Sequence, residues 1–247
     1  MPSPDPHSMA MLVRRLEGVA HLADEERQAI LTLPVRTQVL RGKQDIAREG
    51  DKPSQCCLIL DGWACRYKLV GEGRRQIFSV HIAGDIPDLL SLHLHTMDHN
   101  LATVTKATVA FIPHEALRNL TACWPSVAAV LWRDTLIDAA IFREWMSGMG
   151  RRSAYERMAH FLCEIYLRLE VMGLASNHRC PLPLTQNDMA DALGLTNVHV
   201  NRVLKEMRVR GLITLSSGTL VIEAWGELVQ ASGFDPTYLH LVKPPPC

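Results

Sequence analysis

Arg202, Lys205 and Arg208 recur in the stretch NVHVNRVLKEMRVR, residues 197–210, alongside Asn197, His199 and Asn201. These side chains carry positive charge or give and accept hydrogen bonds, which suits them to phosphates and base edges. Val200, Val203, Leu204 and Met207 recur at helical spacing in the same stretch and must turn inward. That leaves Asn197, Val198, His199, Asn201, Arg202, Lys205 and Arg208 on the outer surfaces of a helix. Stepping upstream, Thr185 can cap a shorter helix. Asp188 stands in capping-box spacing, and Met189, Ala192 and Leu193 form the apolar stripe. Gly194 supplies permissive backbone at the turn, Leu195 plugs the angle between the helices, and Thr196 is placed to cap the second helix. Downstream, Gly211 ends the helix, and LITL and TLVIE read as short strands joined by Ser216-Ser217-Gly218. Any capped helical hairpin gives the apolar spacing alone. The hairpin and the local cations add to it the pattern of a winged helix, whose second helix enters a major groove while Ser216 and Ser217 meet phosphates.

The rest of the composition bounds what such a unit belongs to. The chain has 247 residues, enough for two domains, and its 26 basic and 26 acidic side chains give a formal net charge of zero. Zero net charge argues against a nonspecific coat on nucleic acid, so positive charge concentrated at Arg202, Lys205, Arg208 and Arg210 matters more. No apolar run is long enough to span a membrane, and MPSPDPHSMAMLVRR lacks the order of a secretory signal, so a cytoplasmic protein is expected. The seven cysteines are scattered and odd in number: Cys56 and Cys57 are adjacent, while Cys65, Cys123, Cys163, Cys180 and Cys247 stand apart. Free thiols are expected, with no metal-type pair spacing.

Along the chain, a polar, Pro-containing leader precedes a helix around Leu22 to Leu31. A strand region then runs from about Val35 to Ile112, with Gly42, Gly50, Gly62, Gly71, Gly73 and Gly84 at turns expected to need positive φ. Pro113 ends the strands, a short helix follows, and Pro125 opens a long helix from Ser126 to about Met149. Val127, Val130, Leu131, Ile137, Ile141 and Trp145 share one seam of that helix, suited to a second subunit. Asp134 interrupts the seam, either as a register or effector contact or as a solvated edge position. Gly148 and Gly150 are expected to interrupt the helix as hinges. Tyr155, Met158, Ala159, Leu162, Ile165, Tyr166 and Leu169 make the packed face of the next one.

Thr185 to Ile213 resembles the C-terminal domain of the Crp–Fnr family of bacterial transcription regulators. The segment ILDGWACRYKLVGEGRRQIFSVHIAGD, residues 59–85, resembles the middle strands of that family's sensor. The most specific parts are Leu60-Asp61-Gly62, Arg75-Gln76-Ile77, Gly84-Asp85, Val200 and Arg202. The resemblance covers nearly the whole chain and implies an α+β fold: an N-terminal β-roll (jelly-roll, cyclic-nucleotide-binding-like), a long dimerisation helix and a C-terminal winged helix-turn-helix. The boundaries expected are 1–124 for the sensor with its N-terminal helix, 125–150 for the dimerisation helix and hinge, and 151–247 for the DNA-binding domain.

A homodimer of this kind presents two recognition helices to successive major grooves, about 34 Å apart, so the target is an inverted repeat in double-stranded DNA. The resemblance maps base reading onto Asn197, Val198 and Arg202. The arginine suits guanine O6 and N7, and Val198 stands where many members carry glutamate, so the operator should differ. Thr185, Gln186, Thr196, His199, Asn201, Lys205, Ser216 and Ser217 complete the expected DNA contacts, and RNA polymerase is an expected partner. The effector pocket would include Gly84, Asp85, Met97, Asp98 and Asp134, for an unknown small molecule or none. Met97 and Asp98 stand where cyclic-nucleotide receptors of the family carry an Arg-Ser pair, so a carboxylate would face the phosphate and cyclic AMP is not expected to bind.

No cofactor is expected. An iron–sulfur sensor would need thiolates near the N-terminus, and none precedes Cys56. Haem or a metal on His81, His93, His95 and His99 is the alternative, weighed against ordinary surface or packing histidines. Redox control through Cys180, just ahead of the helix-turn-helix, is another. A regulatory module acting through protein contacts stands as the different functional class. No nucleophile, base and orienting acid fall at catalytic spacing, so no enzyme is expected.

Overall fold

The computed structural model describes residues 6–242. The leader read as merely polar forms a helix, α1 (Pro6–Glu17). Met9, Leu12, Val13 and Leu16 repeat on one face and are buried, so the apolar stripe outweighs the prolines, one of which takes the first helical position. A second helix, α2 (Asp24–Leu31), follows with three acids in its first turn, where they oppose the helix dipole favourably.

Seven strands make the roll: β1 (Arg36–Leu40), β2 (Asp45–Ala47), β3 (Gln55–Asp61), β4 (Ala64–Val70), β5 (Arg74–His81), β6 (Asn100–Thr103) and β7 (Ala107–Pro113). They form two antiparallel-type layers in the orders β1-β7-β3 and β2-β6-β4-β5. Cys56 and Leu58 of β3 and Ile112 of β7 point into a core shared with α1, while Cys57 and Ile59, one residue out of phase, join Met97, Leu101 and Val109 in a second. Gly62 is required at its turn: φ is +86°, and a Cβ there would stand 2.4 Å from the Lys106 carbonyl oxygen. Gly42 and Gly71 do not take positive φ as expected; their neighbours Lys43 and Glu72 take it instead.

A short helix, α3 (His114–Cys123), leads to the long α4 (Pro125–Arg151). Gly148 and Gly150 lie inside α4 and do not interrupt it. The seam expected to face a second subunit is spent inside the chain: Val127, Val130, Leu131, Ile137, Ile141 and Trp145 are all buried. The opposite face leaves Trp132, Leu136, Phe142 and Met146 exposed, the tryptophan at 66%. This second stripe also follows three- and four-residue steps, from Ala128 through Trp132, Thr135, Ala139 and Phe142 to Met146.

Helix α5 (Ala154–Val171) starts on a Ser153–Glu156 capping box and buries Met158, Ala159, Leu162, Ile165, Tyr166 and Leu169. The remaining elements are β8 (Arg179–Pro181), α6 (Gln186–Leu193), α7 (Asn197–Val209), β9 (Ile213–Ser216), β10 (Thr219–Ile222) and α8 (Trp225–Ser232). After α8, a 3-10 turn at Pro236–Leu239 lets the Tyr238 hydroxyl donate to the fully buried Glu164 of α5 at 2.7 Å. Trp145 Nε1 donates to the same carboxyl at 3.0 Å.

The chain divides into two compact units. One takes the described residues of 1–68, 79–139 and 241–247, the other 69–78 and 140–240. The division therefore falls within α4 rather than at its ends, and the outer end of the β4–β5 hairpin groups with the C-terminal elements.

Candidate nucleic-acid interface

Local chemistry fixes the two helices. Thr185 Oγ1 accepts from the Asp188 amide at 3.1 Å, and Asp188 Oδ2 accepts from the Thr185 amide at 3.0 Å, closing the capping box at the start of α6. Burial pushes the Asp188 carboxyl up, but bonds from Thr185 and Arg75 prevail and hold it below its ordinary value. Gly194 ends α6 in the left-handed region at φ +62°. Thr196 Oγ1 then accepts from the His199 amide at 3.3 Å and caps α7.

Val200, Val203, Leu204 and Met207 are buried under α7, as the spacing requires. Asn197, Val198, His199, Asn201, Arg202 and Lys205 are all exposed on its other faces, as are Thr185, Gln186, Thr196 and the wing residues Ser216 and Ser217. Among the described residues Arg202 and Lys205 enter no ion pair or hydrogen bond, whereas Arg210 is engaged by Glu206 at 2.7 Å. Asn201 Nδ2 lies 3.4 Å from Gln186 Oε1, linking the two helices on the open side. The wing is a three-stranded sheet of order β8-β10-β9, with Ser217 and Gly218 both at positive φ in the hairpin turn. Strand β8 was not read from the sequence; its three residues carry too short a pattern.

Arg75, on β5 within the same compact unit, was read from the sequence only as part of the resemblance, and its contacts with α6 were not foreseen. Its Nη2 donates to Asp188 Oδ1 at 2.6 Å and its Nε to Asp191 Oδ2 at 2.7 Å. More than a hundred positions separate the partners, so no local signal announces them.

The residues expected around an effector are not gathered in one place. Asp85 and Asp134 meet on Arg15, whose Nε is 3.1 Å from Asp85 and whose Nη2 is 2.8 Å from Asp134. Asp134 is thus ion-paired and largely buried rather than at a solvated edge. Met97 is packed in the roll core, and Asp98 points outward against His99 Nδ1 at 2.5 Å. Gly84 takes positive φ in its turn. Inside the roll, Arg66 donates to Ser79 at 2.8 Å and to His81 Nε2 at 2.9 Å, and forks onto Asp138. His81 Nδ1 is 3.5 Å from Asp85. The result is a buried relay from Asp138 through Arg66, His81, Asp85 and Arg15 to Asp134. Burial, reinforced by Arg66, pushes the His81 imidazole down to about 4, so it is neutral at pH 7. Asp88, buried in the same unit, is pushed up to about 7 by desolvation.

The histidines considered as ligands are dispersed: His81 and His99 are buried in these separate contacts, and His93 and His95 are exposed. Cys180 lies buried in β8, and burial pushes its thiol up to about 12, away from the thiolate form that oxidants attack. Among the described residues no helix is long and apolar enough to cross a membrane.

Residues 37–122 match the profile of the cyclic nucleotide-binding domain, and residues 156–231 match that of the Crp-like helix-turn-helix domain. The chain belongs to the Crp–Fnr family of transcription regulators. It is 25% identical over 225 residues to the transcriptional activator protein FnrL of Cereibacter sphaeroides, covering 90% of each chain. It is 28% identical over 172 residues to the nitrogen fixation regulation protein FixK of Rhizobium meliloti, covering 70% of this chain and 75% of that one. Among solved structures, FixK2 from Bradyrhizobium japonicum superposes with a TM-score of 0.74 at 26% identity, over 81% of this chain and 98% of its own. These relatives are named as regulators rather than enzymes, and the match over residues 156–231 gives this chain the DNA-binding helix-turn-helix of that type.

Proposed function

We propose that this Crp–Fnr regulator binds inverted-repeat operators as a homodimer, reading bases with the exposed face of α7. The observation that carries the reading is the set of exposed polar side chains there: among the described residues Arg202 and Lys205 have no ion-pair or hydrogen-bond partner, and Asn197, His199 and Asn201 stand exposed beside them. Arg202 takes guanine through its two-pronged donor edge, Asn197 suits adenine, and Val198 offers a thymine methyl its 79% exposed surface. Thr185, Gln186, Thr196, Ser216 and Ser217 hold phosphates and set the register.

Two copies join along the outer seam of α4 through Trp132, Leu136, Phe142 and Met146, because an exposed apolar stripe of this length is costly to leave in water. Residues 1–124 then serve as the regulatory half, 125–150 as the joint and 151–247 as the reader, with RNA polymerase recruited or blocked according to operator position. Cyclic AMP is not the signal in this reading. Arg15 and Arg66, the buried cations of the roll, already hold Asp85, Asp134 and Asp138. A cyclic phosphate would have to compete with these carboxylates for them.

The test is selection of sheared genomic DNA by the purified chain without added ligand. An enriched inverted repeat is the expected outcome. Retention of DNA without any common sequence would refute base reading by α7.

A further inference from the structure

We propose that Arg75 is a positioning residue for DNA recognition: it fixes the first helix of the helix-turn-helix and shields that helix's two carboxylates from DNA phosphates. The inference rests on the DNA-reading function proposed above. Helix α6, QNDMADAL, carries Asp188 and Asp191 and no basic residue. Thr185 and Gln186, exposed at its start, are where the phosphate path would run. Two carboxylates on a helix beside a polyanion repel it.

Arg75 answers both. Its Nη2 meets Asp188 at 2.6 Å and its Nε meets Asp191 at 2.7 Å, while Gln76 Nε2 donates to the Asp191 carbonyl at 2.7 Å. Asp188 is only 3% exposed and spends its other oxygen on the Thr185 amide and hydroxyl. Without Arg75, Asp188 Oδ1 is left buried without its cation, and Asp191, whose side chain is 30% exposed, keeps a negative charge on this helix with its guanidinium removed. The planar guanidinium can grip two carboxylates at once, which an ammonium cannot. The end of the β4–β5 hairpin, residues 69–78, thereby belongs to the machinery that presents the recognition helix.

Titrations would use a labelled operator recovered by the genomic selection, at two salt concentrations, with thermal unfolding run alongside. Arg75→Gln is expected to weaken binding about tenfold at low salt and less at high salt. Adding Asp191→Asn to Arg75→Gln should restore most of the loss, because it removes the unmatched carboxylate. Arg75→Lys, which keeps the charge without the fork, should fall between, and it serves as the variant of record should Arg75→Gln unfold. Wild-type affinity in Arg75→Gln or in Arg75→Lys, or no recovery on adding Asp191→Asn, would overturn the proposal. If wild-type protein itself selects no sequence, the reading beneath it fails, and that is seen before any substitution is made.

Discussion

The interior of the roll and the open face of α7 both carry arginines, yet they use them in opposite ways. Arg15 and Arg66 are buried, and each is met by carboxylates of the same chain. Arg202 stands exposed with no ion-pair or hydrogen-bond partner among the described residues. A buried charge must be neutralised by its surroundings or it will not stay folded. An exposed charge carries no such requirement and remains available to a partner from outside. The roll's polar groups are therefore structural commitments, and those of α7 are offers to a ligand.

Breaking the roll's commitments should cost most. Arg15→Ala would remove the guanidinium that Asp85 and Asp134 share, both largely buried, and should lower unfolding free energy by about 3–5 kcal/mol. Urea unfolding checks this, and a loss below about 1 kcal/mol would mean the relay is not needed for stability.

The two seams of α4 sharpen the contrast next. Ile137→Ala, at a position 2% exposed, should destabilise by about 2–5 kcal/mol while leaving the oligomeric state unchanged. Leu136→Glu, one residue along and half-exposed, should change stability by roughly 0.5 kcal/mol or less, yet turn a dimer into a monomer in sedimentation. A Leu136→Glu chain that stays dimeric would remove the outer seam from the interface.

The smallest effect is on pH dependence. His81 has its pKa lowered to about 4 in the fold, against about 6.5 unfolded. It takes up its proton only on unfolding, so its contribution is complete above pH 6.5 or so and is lost as pH falls towards 4. Asp88, raised to about 7 in the fold from about 3.9 unfolded, works the other way and gains stability on acidification. The two oppose each other in the wild type. Relative to it, His81→Gln should tilt stability towards acid by about 1 kcal/mol per pH unit between roughly pH 4 and 6.5. Parallel pH profiles for the two proteins would show that His81 is not held neutral by burial.

What the sequence made legible divides along the same line. The helix-turn-helix was readable almost residue by residue, because Thr185–Asp188, Gly194 and Thr196 act within a turn or two of chain and the inward face of α7 follows one period. The β-roll was readable in outline from glycines and short apolar runs. The leader was misread because the apolar stripe of Met9, Leu12, Val13 and Leu16 sits among prolines and polar residues. On α4 both faces carry steps of three and four, so periodicity could identify two seams without saying which one the chain's own core would take. The structure gives the core the seam richest in branched aliphatics, Val127, Val130, Leu131, Ile137 and Ile141, and leaves the outer one to Trp132, Leu136, Phe142 and Met146. The relay from Asp138 to Asp134 and the Arg75 contacts join residues far apart in the chain, and only the folded topology brings them together.

The most direct test of base reading by α7 is a paired selection from random DNA with the wild-type chain and Arg202→Ala. The wild type should enrich an inverted repeat with a fixed guanine in each half-site. The variant should lose that one position and about 1–3 kcal/mol of specific affinity while its remaining preferences persist. An unchanged consensus in Arg202→Ala would contradict the account.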